Sequence, residues 1–106
     1  MKLGLRDRLV ILNVLPPKGD LTTLRIVHDL KMKLALTEEE LKEYDVQEKE
    51  GQIFWDSKKE LEKGEQEFEI GTKSLAIIMD AFKKLDEKKE LTEGHLETYE
   101  KLLALD

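Results

Sequence analysis

Two histidines, two serines and no cysteine set narrow limits on the chemistry this chain can carry. Without a thiol there is no disulfide, no thiolate zinc site and no cysteine nucleophile. His28 and His95 belong to no H-E-x-x-H spacing, so a packed or solvated histidine is the better reading of each. Ser57 and Ser74 lack the glycine-flanked elbow of a serine nucleophile and have no histidine close in sequence. None of the six glycines falls in a phosphate-cradling pattern. The stretch from Asp45 to Asp56 imitates a calcium loop through its acid content. It fails, because Lys49 stands where the fifth-position oxygen ligand belongs and Glu50 stands where glycine is needed. With 24 Asp and Glu, carboxylate pairs arise by chance and none marks an acid–base site. The expectation is a non-enzymatic protein with no cofactor, no metal and no catalytic residue.

The chain's charge offers more than its catalytic repertoire does. Residues 1–36 carry +4, residues 37–70 carry −8 and residues 71–106 carry −2, for a net charge of −6 over 106 residues. An acidic middle favours basic partners over nucleic acid. Glu38, Glu39 and Glu43 are its leading candidates for contact with another protein. Trp55 joins them, because neighbouring strand positions face opposite ways and either Phe54 or Trp55 must find cover beyond the core. Cover from the chain's own C-terminal helices is the stronger expectation for that second face. No apolar run exceeds five residues, Leu75 to Met79, against about 20 for a membrane span. A soluble cytoplasmic protein in a single domain, residues 1–106, is the expectation, with self-association left open.

The elements that must position these residues are mostly helices. Leu5, Leu9 and Leu12, widened by Ile11 and Leu15, predict a helix over 5–15 that Pro16 and Pro17 end. Leu24, Val27, Leu30 and Leu34 predict a second over 21–33. Thr37 and Glu40 have capping-box spacing and open a short third helix, with Leu36 stapled onto Leu41. Residues 45–55 read as two strands around Glu50-Gly51, and Phe68 and Ile70 alternate with acids as a third strand over 66–70. Residues 56–65 are too polar to assign. Leu75, Ile78, Met79, Phe82 and Leu85 predict a helix over 72–89. Thr92 then caps a last helix to about residue 105, burying Leu96, Tyr99 and Leu103. The fold class is α+β and mainly helical, with about five helices and a small antiparallel hairpin or three-stranded sheet in the middle.

The order helix, helix, short helix, hairpin resembles a winged helix-turn-helix. That resemblance implies a nucleic-acid-binding regulator, for which Arg6, Arg8 and Arg25 would contact phosphates. The third helix argues against it, since Glu38, Glu39, Glu40 and Glu43 face a single Lys42. The start Arg6-Asp7-Arg8-Leu9-Val10, the Leu36-Thr37-Glu38-Glu39-Glu40 cap, the Glu69-Ile70-Gly71 junction and the closing Leu91 to Lys101 helix resemble small uncharacterised bacteriophage and prophage proteins. That resemblance implies a bacterial cytoplasm and a part in assembly, host takeover or evasion of host defence. The reading favoured over the regulator is a protein that acts by binding another protein.

Overall fold

A computed structural model describes residues 1–105. Six helices and two small antiparallel sheets follow one another as β1 (Lys2–Leu3), α1 (Leu5–Val14), α2 (Leu21–Leu34), α3 (Glu38–Glu43), β2 (Gln47–Lys49), β3 (Gln52–Phe54), α4 (Ser57–Lys63), β4 (Gln66–Glu67), α5 (Thr72–Glu87) and α6 (Glu93–Leu103). The mainly helical α+β class is therefore the observed one.

Local chemistry explains most of the boundaries. Pro16 and Pro17 bring no backbone donor, so α1 stops with the Leu15 N–H donating to Ile11 at 3.2 Å. The Asp20 carboxylate caps α2 by accepting from the Thr23 N–H at 2.8 Å. Thr37 and Glu40 form a reciprocal capping box, each side chain accepting the other's backbone N–H at 3.1 Å. At α6 the same reach-back is made by His95, whose Nδ1 accepts from the Thr92 N–H at 2.9 Å.

The core lies among α1, α2, α5 and α6. Ile11, Leu30, Leu34, Ile78, Phe82 and Leu102 are buried there, and the Tyr99 ring stacks on Phe82 with centroids 5.1 Å apart. Both α1 and α5 pack against both α2 and α6, so those two helices flank a central pair. The segment 36–65 leaves this body and returns to it, and β4 closes the return by pairing with β1 in the register Lys2↔Glu67.

Several expectations need correction. The third strand is short and pairs with the N-terminal strand, so the middle of the chain holds a two-stranded hairpin and not a three-stranded sheet. Residues 56–65 contain a helix, capped by Asp56, which accepts from the Lys58 N–H at 2.9 Å, and ended at Gly64, whose φ is 68°. On α2, Leu24 is partly exposed while Val27, Leu30 and Leu34 are buried. On α6, Leu96 and Leu103 are exposed, because the buried edge runs through Thr98 and Leu102, one position out of phase with the expected stripe. On α1 the buried line is Leu5, Arg8, Ile11 and Leu15, and Leu9 and Leu12 are only half-buried.

Candidate functional site

Two adjacent residues of α1 hold buried charge. The Arg8 guanidinium, 3% exposed, donates to both Glu40 carboxylate oxygens at 2.5 and 3.1 Å. It also donates to the carbonyls of Leu34 and Ala35 at 3.1 and 2.8 Å. A planar fork with four partners fixes where α3 sits on the end of α2. The Arg8 hydrogen bond holds the Glu40 carboxyl at about 2 against the opposing effect of burial. On the other side Asp7 accepts from the Gly4 N–H at 2.9 Å, from the Thr98 hydroxyl at 2.6 Å and from Lys101 at 2.6 Å. Burial pushes the Asp7 carboxyl up, yet the bonds from Lys101, Thr98 and Gly4 outweigh it and leave it below its usual range. Lys101 also pairs with Glu65, and its own ammonium is held above its usual range despite burial.

These contacts change the standing of the basic residues. Arg8 is withdrawn from any phosphate-binding set, because it is buried and committed to Glu40. Arg6 lies on the surface with its guanidinium 5.6 Å from the centre of the Trp55 ring. Arg25 is exposed on α2. The three arginines of the nucleic-acid alternative thus have three different surroundings.

The acidic candidates divide in the same way. Glu38 and Glu39 are exposed in the first turn of α3, where the helix N-terminus favours carboxylates. Glu43 is paired with Lys63, whose ammonium lies 5.3 Å over the Tyr44 ring. Trp55 is half-buried, with its Nε1–H donating to Glu60 at 3.0 Å. The other Glu60 oxygen accepts the Arg6 backbone N–H at 3.3 Å, so Trp55 and Glu60 tie α4 to the start of α1. Trp55 is thus in contact with Glu60 of α4 and with Arg6.

The hairpin is the exposed centre of this excursion. Its register is Gln47↔Phe54, Glu48↔Ile53 and Lys49↔Gln52, and none of these six residues is buried. Ile53 and Phe54 face opposite ways along the strand and are both about half exposed. Glu50 and Gly51 make the turn with φ of 52° and 78°, the backbone of a type I′ hairpin. At the base the Asp56 N–H donates to the Tyr44 carbonyl at 2.8 Å. Leu61 on α4 is 81% exposed. Leu61 is the single apolar residue of α4, so that helix shows no apolar period in the sequence. Asp56 and Gly64, at the two ends of that stretch, were the signals available. The signal for Arg8 was its place three residues from both Leu5 and Ile11, on the apolar line itself.

Among the described residues no group of three His, Cys, Asp or Glu side chains comes together as a metal site. No described helix is long and apolar enough to cross a membrane. Between the 16–20 loop and α5 lies an open groove of about 750 Å³, with Leu15, Ile77, Leu85, Lys18, Lys84 and Lys88 among its lining. The chain matches no family model, no curated protein and no solved structure.

Proposed function

We propose that the protein works without catalysis, by binding another protein through the excursion of residues 36–65. The carrying observation is the hairpin, which holds Ile53 and Phe54 half exposed with no layer of the body packed over either face. Around them the segment has eleven carboxylates against five lysines, a net −6 that equals the charge of the whole chain. An apolar anchor on a segment of net negative charge suits a partner whose docking site combines apolar and basic surface. Glu38 and Glu39 add exposed carboxylates on α3, whereas Glu43 and Trp55 have partners inside the excursion, Lys63 and Glu60. The reading accords with what the resemblance to small phage-encoded proteins implies, a part in assembly, host takeover or evasion of host defence.

The test is affinity capture from bacterial lysate with and without nuclease, followed by titration of the captured protein. A basic protein retained in stoichiometric amount after nuclease is expected. Its affinity should fall at least about tenfold with Ile53→Ser/Phe54→Ser, since buried anchors dominate interfaces. With Glu38→Lys/Glu39→Lys the salt dependence should flatten. Loss of everything to nuclease, or affinity indifferent to both double variants, overturns the reading.

A further inference from the structure

The buried side of α2 is ordinary, but its outer side is not. Leu21, Leu24 and Met32 lie there 65%, 39% and 71% exposed, opposite Val27, Leu30 and Leu34. At about 100° per residue, Leu21, Arg25, His28 and Met32 fall within roughly 60° of one another, with Leu24 on one border and Asp29 on the other. This is a continuous strip of more than three turns with an apolar residue at each end and opposite charges between. Arg25 and Asp29 are four apart, yet neither has an ion-pair partner among the described residues.

The strip reads the same in both directions. Against a second α2 laid antiparallel across a two-fold axis beside residue 27, Arg25 meets Asp29 and Asp29 meets Arg25. Leu21 then falls within one residue of Met32 at both ends. A foreign partner of a single charge sign leaves either Arg25 or Asp29 opposed by like charge. A second copy satisfies both charges and covers all three apolar side chains.

We propose that the outer face of α2 is a homodimer interface, with two copies packed antiparallel through Leu21, Leu24 and Met32 and with Arg25 of each paired to Asp29 of the other. It is an isologous contact, the commonest kind in soluble oligomers. It lies on a different element from the hairpin, so each dimer would present two excursions to partners. The strip is small beside the roughly 1,200 Å² of a standard interface, so the dimer should be weak and concentration-dependent.

Sedimentation equilibrium over a concentration series, with thermal melting as the check on folding, tests the idea. Wild type should dimerise, and Met32→Glu, an exposed change, should be monomeric with its melt unaltered. Arg25→Asp and Asp29→Arg should each weaken association about tenfold, because each reversal acts twice across the axis. The combined swap should restore it. The chain has no cysteine, so single-cysteine variants give an independent readout. Copies of residue 28 would be offset by about 3 Å along the axis and copies of residue 32 by about 15 Å. Under mild oxidation His28→Cys should form a covalent dimer and Met32→Cys should not. A monomer at every concentration, a swap no better than its single reversals, or equal cross-linking at both positions overturns the proposal.

Discussion

The four-helix body and the 36–65 excursion are held together by different forces. In the body, Ile11, Leu30, Leu34, Ile78, Phe82 and Leu102 pack into one apolar core. In the excursion only Glu40 and Tyr44 are buried among thirty residues. Its attachment runs through Arg8–Glu40, through the contacts of Arg6 with Trp55 and Glu60, and through Lys101–Glu65. Apolar burial neither titrates nor is screened by salt, while paired charges respond to both pH and screening. One molecule therefore contains a part that should open only with the whole fold and a part that should open alone.

The largest effect should come from the body. Phe82→Ala removes the ring on which Tyr99 stacks and against which His95 sets its edge, and should cost about 4 kcal/mol. Chemical denaturation should show one cooperative transition displaced for every probe, since nothing remains to hold the excursion once the body fails. Next comes Arg8→Met, expected to cost about 3 kcal/mol because it leaves the Glu40 carboxylate without its counter-charge. Arg8→Met/Glu40→Gln should recover much of that loss, since no buried charge is then unpaired. Amide exchange decides where the loss falls. Faster exchange in residues 36–65 with α5 unchanged supports separate opening, and equal acceleration in both would show the two regions to be one unit.

The same contrast explains how much the sequence disclosed. Apolar residues at helical spacing disclosed α1, α2 and α5, because packing needs that spacing. The Thr37 and Thr92 caps marked two further starts through local bonding alone. On α6, leucines at 96, 102 and 103 allow two phases, and Thr98 joins the buried edge because its hydroxyl reaches Asp7. That bond spans 91 residues and left no local trace. Nor did the partners of Arg8, since its place on the apolar line marks burial without naming Glu40. Glu38 and Glu39 were legible as surface acids. Glu43 and Trp55 belong to the same candidate set and also have partners inside the excursion, Lys63 and Glu60. Composition cannot separate those roles.

Acid should loosen the excursion through Glu40. Folding depresses the Glu40 carboxyl from near 4.5 to about 2, so its contribution is complete above pH 4.5 and is lost as pH falls through 2. Asp7 is also held below its usual range, and its contribution vanishes in the same direction. The Glu40 share should be about 3 kcal/mol, read as the change in stability accumulated between those limits. Glu40→Gln should flatten the slope of stability with pH. A wild-type slope identical to that of Glu40→Gln would show that the Arg8 pair does not tether the excursion.

The smallest effect gives the sharpest separation of the two regions. Glu50 sits at φ 52°, where an L side chain other than asparagine, aspartate or glycine is strained, and Gly51 follows at 78°. Glu50→Asn creates the Asn-Gly pair that a type I′ turn prefers and should stabilise the hairpin by about 1 kcal/mol. If the hairpin opens by itself, that gain stays local. Exchange at the amides bridging Gln47–Lys49 and Gln52–Phe54 should slow about fivefold, with the melting temperature of the body unmoved. If the melting temperature rises and α5 gains equal protection, the hairpin opens only with the core. The exposure of Ile53 and Phe54 would then belong to a rigid surface and not to a separately mobile one.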